Sequence, residues 1–126
     1  MVSNDTKVAS QAVRIDQGNT SMAQRDDDVR KIVRHFLDEI QKTHKVELAF
    51  LYGSYAKGAS NEWSDIDIAI VSPDFSDDLL EERLALTKLA IPIDDRIEPK
   101  PFNMRSFDPN DPLVVYEIIK NGIQLV

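Results

Sequence analysis

The chain has 126 residues, enough for one domain with a core, and 42% of them are hydrophobic. It has no cysteine, which excludes disulfide and thiolate chemistry. A net charge of −7 argues against a general nucleic-acid binder, which needs a basic surface.

No apolar stretch approaches the ~20 residues of a membrane span. The N-terminus is polar rather than an apolar signal core. The cytoplasm is therefore the expected compartment.

Residues 1–22 carry scattered apolar positions without a period, and Gly18-Asn19-Thr20-Ser21 reads as a break. They are expected to form a flexible N-terminal lead to a domain over 23–126. A helix follows over about 23–43. Val29, Ile32, Val33, Phe36, Leu37 and Ile40 fall at steps of three and four, one apolar stripe among charged neighbours.

The apolar run to Leu48-Ala49-Phe50-Leu51-Tyr52 reads as a buried strand over 46–52. Gly53-Ser54 breaks it. A Gly-Ser turn opening a short helix presents free backbone N–H groups and a hydroxyl, a setting that holds phosphate. Residues 53–59 are expected to form that turn and helix, with Gly53 and Ser54 as binding residues. Lys57 is a candidate phosphate contact. Tyr55 and Trp63 are expected to pack.

A second strand is expected over 64–71. Its residues alternate, so Asp65 and Asp67 share one face, roughly 7 Å apart at Cα. Ile66, Ile68 and Ile70 share the other. Paired carboxylates need an offsetting charge, and Mg²⁺ suits them because it takes one or two protein carboxylates plus substrate phosphate oxygens. Metal carboxylates facing a phosphate turn point to phosphoryl or nucleotidyl transfer.

Ser76 is the expected N-cap of a helix whose apolar side includes Leu79, Leu80, Leu84 and Leu86, and which ends before Pro92. A third strand over 93–102 offers Asp94, Asp95 and Glu98 as a further carboxylate. Ile93 and Ile97 mark its buried face, leaving Asp94 and Glu98 with the polar set. Pro99 and Pro101 lack ladder donors, so this strand belongs at an edge. Asp111-Pro112 opens a last helix, Asn121-Gly122 stops it, and a short strand closes the chain. The expected class is α/β (α+β), a small mixed sheet with flanking helices.

Gly53-Ser54, ten residues, then Asp65-Ile66-Asp67 resembles the signature of the nucleotidyltransferase superfamily related to DNA polymerase beta. More narrowly, the chain resembles the minimal nucleotidyltransferases, small proteins often paired with a HEPN-type toxin. The resemblance runs from about Val46 to the C-terminus. It implies the nucleotidyltransferase fold, two Mg²⁺ ions on Asp65 and Asp67, and ATP as substrate, its β- and γ-phosphates held by Gly53 and Ser54. It places the third carboxylate at Glu98, where many relatives carry aspartate.

The implied activity is transfer of AMP to a tyrosine hydroxyl of a HEPN-type ribonuclease toxin, making this chain its antitoxin in a hetero-oligomer. Neither nucleic acid nor a membrane is an expected partner. The alternatives are an antitoxin that acts by contact alone and an adenylyltransferase acting on a small molecule. The aminoglycoside-modifying members of the superfamily usually carry a further domain.

Overall fold

A computed structural model describes residues 17–61 and 63–126. The chain divides into two compact units, Met1–Lys31 and Ile32–Val126. Of the expected lead over residues 1–22, residues 1–16 lie outside the described residues and the rest belong to α1. Helix α1 spans Gln17–Gln41 and so starts earlier than its apolar stripe suggests. Gly18 costs a helix about 1 kcal/mol against alanine, which a long cooperative helix absorbs. In the second unit Val33, Phe36, Leu37 and Ile40 of α1 are buried, as their spacing requires.

The sheet has four strands: β1 (Leu48–Tyr52), β2 (Ile66–Val71), β3 (Ile97–Phe102) and β4 (Ile123–Gln124). Their order is β3-β2-β1-β4. β1 pairs antiparallel with β2 and with β4, while β2 and β3 run parallel. The parallel pair needs a crossover, which helix α2 (Leu79–Ala90) supplies by packing on β3. The mixed sheet with flanking helices is the expected class.

β3 is an edge strand, as its prolines demand. Ile66 N–H donates to the Arg96 carbonyl at one end, and Ser72 N–H to the Phe102 carbonyl at the other. The even-numbered residues of β3 therefore face β2 and bond to it. Pro99 and Pro101 turn their nitrogens outward, where no donor is needed.

Register fixes the two faces. Ile66, Ile68, Ile70, Ile97 and Pro99 point one way and are buried. Phe50, Ala69, Val71 and Phe102 point the other way and form a core cluster with Val114 and Ile118. Those last two come from a π-helix over Leu113–Lys120, which packs on β1 and β4. Phe107 caps the cluster, its ring 5.3 Å from Phe102 and 6.1 Å from Phe50.

Several expectations are corrected. Residues 53–59 form a hydrogen-bonded turn, not a helix, because Gly53 and Gly58 both take positive φ. Residues 93–96 are turn rather than strand, held by Ile93 and Asp94 N–H bonds to the Ala90 carbonyl. Asp78, not Ser76, caps α2, accepting from Glu81 N–H at 3.1 Å. Ser76 instead accepts from Asp78 N–H and steadies the cap. The closing helix winds in π form, seen in the Asn121 N–H bond to the Tyr116 carbonyl five residues back. Its Asp111 carboxylate does accept from Leu113 N–H at 2.9 Å. Leu80 and Leu84 are exposed, so the leucines of α2 divide between two faces. Trp63 is 83% exposed instead of packed.

Candidate active site

The site grows from the start of β2. Asp67 is the second residue of that strand and lies between two register partners, Tyr52 on β1 and Glu98 on β3. Partners on adjacent strands are about 4.8 Å apart and project from the same face. The sheet therefore brings Asp67 and Glu98, 31 positions apart in sequence, side by side. Asp65 lies just before β2 and is exposed.

Electrostatics ties the three carboxylates together. Asp67 is held above the usual carboxylate range, chiefly by burial and then by the negative charges of Asp65 and Glu98. The Tyr52 phenol is pushed up to about 12, first by burial and next by Asp67, with Arg83 opposing and Glu98 adding. Among the described residues, Arg83 of α2 approaches Glu98 at 3.5 Å.

Gly53 makes the turn fit against Asp67. Its φ is +71°, and a Cβ at this position would come within 2.3 Å of the Asp67 carboxylate oxygen. Only glycine lets the backbone approach that closely without displacing the aspartate. Within the turn, Lys57 N–H bonds to the Gly53 carbonyl and Ala59 N–H to the Ser54 carbonyl. Among the described residues the Ser54, Tyr55 and Ala56 N–H groups make no backbone hydrogen bond within the turn, an arrangement that suits an anion.

A network fastens the far side of the turn to the chain entering β3. The Arg96 guanidinium holds both oxygens of Asp94, at 3.0 and 2.9 Å, and donates to the Tyr55 hydroxyl at 3.3 Å. Tyr55 is buried, as expected, and its hydroxyl donates to the Asn61 carbonyl at 3.2 Å. The three candidates for the third carboxylate stand in different settings. Asp94 is engaged by Arg96, which draws it below the usual range. Asp95 is exposed in the turn before β3. Glu98 alone is in register with Asp67.

Lys57, the expected phosphate contact, is paired with Glu117 of the π-helix at 2.9 Å. Sequence reasoning did not single out Arg83, Arg96, Tyr52 or Glu117. Arg83 had a signal: it occupies the helical step between Leu79 and Leu86, a charge on an otherwise apolar stripe.

The donor set is all oxygen, which fits a hard divalent cation such as Mg²⁺. The mutual repulsion at Asp67 is a charge that such a cation would offset. Among the described residues the carboxylates do not converge into a ready-made ligand cluster.

Comparison with known proteins agrees with this geometry. Residues 36–126 match the family described as polymerase beta, nucleotidyltransferase. The chain is 37% identical over 68 residues to the protein adenylyltransferase MntA of Shewanella oneidensis, covering 54% of this chain and 46% of that protein. The match thus spans about half the length of that relative. A solved structure from Sulfolobus solfataricus bearing a nucleotidyltransferase name superposes with a TM-score of 0.59 at 15% identity, over 81% of this chain and 83% of that one. A toxin–antitoxin structure with AMP-PNP superposes with a TM-score of 0.51 at 27% identity, over 80% of this chain and 72% of that one. The Gly-Ser turn against Asp67, the Asp67–Glu98 pair and the family match over residues 36–126 all point one way: the chain belongs to the polymerase beta nucleotidyltransferase family.

Proposed function

We propose that this chain is a Mg²⁺-dependent protein adenylyltransferase. It transfers AMP from ATP to a tyrosine hydroxyl of a HEPN-type ribonuclease toxin, and so acts as the antitoxin in a cytoplasmic hetero-oligomer. The observation that carries this reading is the register of Asp67 with Glu98, beside a glycine turn in contact with Asp67.

Asp65, Asp67 and Glu98 would hold the metal. Two Mg²⁺ ions held there would supply Lewis-acid neutralisation of charge on the α-phosphate and on pyrophosphate. The opening N–H groups of the turn and the Ser54 hydroxyl orient the β- and γ-phosphates. Lys57 adds a positive charge there when it exchanges Glu117 for phosphate. The acceptor oxygen forms a bond to the α-phosphorus while the bond from that phosphorus to the α–β bridging oxygen breaks. Glu98 takes the phenolic proton, and pyrophosphate leaves with the bonding electrons.

Support for a protein acceptor comes from two sides. The similar chains include one named protein adenylyltransferase and one within a toxin–antitoxin structure. Large apolar side chains, among them Trp63, Leu80, Leu84 and Tyr116, are exposed and open to contact with a protein surface. The net charge of −7 favours a basic partner.

ATP labelled at the α- or the γ-phosphorus tests the reaction class. The α-label is expected on the partner protein and the γ-label in released pyrophosphate. Transfer of the γ-label to the partner would replace this reading with a kinase.

A further inference from the structure

The mouth of the site holds three carboxylates, and one guanidinium stands against the third. Arg83 Nη2 is 3.5 Å from Glu98 Oε1, with the two side chains 48% and 47% exposed. The charge of Arg83 also acts on the Tyr52 phenol, together with those of Asp67 and Glu98. Arg83 thus lies beside Glu98 at the edge of the site. Its helix is held in place from behind, since Leu86 and Ala90 of α2 are buried. The basic residue thus arrives at Glu98 from a fixed element.

The same oxygen cannot serve a guanidinium and a divalent cation equally. A cation binding at Glu98 must displace the arginine or share the carboxylate with it, and at short range it is repelled by the arginine's charge. We propose that Arg83 is a resident counter-cation of Glu98, which holds this carboxylate in the metal-free protein and competes with the divalent cation for it. The proposal rests on the reading of Asp65, Asp67 and Glu98 as metal ligands. It makes Arg83 a positioning residue that sets how much free metal the site requires. An exposed ion pair contributes little to stability, so the arginine tunes metal binding without blocking it.

The chemistry fixes the direction of the effect. Removing the guanidinium leaves Glu98 unpaired among like charges, and the site then binds a divalent cation more tightly. An exposed pair of this kind corresponds to about a threefold to fivefold change in affinity. The gain depends on Glu98 itself, which separates competition for that carboxylate from a general loss of positive charge.

The test is calorimetric titration of Mn²⁺ into the full chain, without nucleotide. It compares wild type, Arg83→Gln, Arg83→Lys, Glu98→Gln and the Arg83→Gln/Glu98→Gln double variant. Arg83→Gln is expected to lower the Mn²⁺ dissociation constant about threefold to fivefold, and Arg83→Lys, which keeps the charge, to stay near wild type. In the Glu98→Gln background the same change at Arg83 is expected to have little effect. Unchanged or weaker Mn²⁺ binding by Arg83→Gln would overturn the proposal, as would an equal gain in both backgrounds. Asp67→Asn serves as the separate control for the metal centre. Mn²⁺ binding to wild type that Asp67→Asn leaves intact refutes the metal-ligand reading itself and the proposal with it.

Discussion

Asp67, against Gly53, and Asp94, joined through Arg96 to Tyr55, illustrate opposite settings of a carboxylate around the same turn. Asp67 is raised by burial and by Asp65 and Glu98. The folded state therefore binds its proton more tightly than the unfolded chain, and stability falls as pH climbs through the carboxylate range. Asp67→Asn removes that repulsion. In EDTA at neutral pH the variant is expected to melt above wild type, while AMP transfer falls on the order of 1000-fold because a metal carboxylate is lost. Thermal melts paired with a transfer assay check both halves. Asp94 runs the other way. Its hydrogen bonds to Arg96 lower it, so its contribution is present above the unfolded value of about 3.9 and is lost as pH falls through the lower folded value. Asp94→Asn is expected to lower the melting temperature at pH 7 and to narrow the gap to wild type in acid. Gly53→Ala meets two penalties at once: a positive φ, costing about 1–2 kcal/mol, and a clash with the Asp67 carboxylate. It is expected to lose transfer activity even where the fold survives, which circular dichroism beside the transfer assay separates.

At the level of strands and helices, the site depends on elements far apart in sequence. Lys57 in the turn reaches Glu117 on the π-helix at 2.9 Å. Glu117→Gln frees the lysine and is expected to lower KM for ATP about twofold to threefold, with kcat little changed, an effect that added salt diminishes. Ile118, on the same helix, is fully buried against Phe50 and Ala69. Ile118→Ala is expected to cost about 2–4 kcal/mol in chemical denaturation. The amino-acid order announces some of this architecture and hides the rest. The isoleucines at 66, 68 and 70 set the inner face of β2 by simple alternation, and the prolines at 99 and 101 put β3 at the edge. The π winding had no signature, because eight residues carry too few apolar positions to separate one period from another. The segment after β1 read as a turn opening a short helix because Gly53-Ser54 follows a strand, but Gly53 and Gly58 both take positive φ and the chain stays a turn. Asp65 and Asp67 were legible from their spacing. The choice of Glu98 over Asp94 rested on likeness to a family, since both lie on the polar set of an extended strand. In the fold β3 starts at Ile97, which leaves Asp94 in the preceding turn, bonded to Arg96, and puts Glu98 in register with Asp67.

At the scale of the molecule, a sheet that sets Asp67 beside Glu98 is flanked by helices whose outer faces expose large apolar side chains. The net charge of −7 and the exposed apolar groups on α2 and the π-helix suit a basic protein surface that completes the site. The decisive experiment is the intact mass of a co-purified toxin partner after incubation with ATP and Mg²⁺, with wild type and with Asp67→Asn. A gain of one AMP residue on a partner tyrosine with wild type, and no gain with the variant, is the result expected here. A partner that stays unmodified yet is still silenced by both proteins would contradict the account, and would leave neutralisation by contact alone.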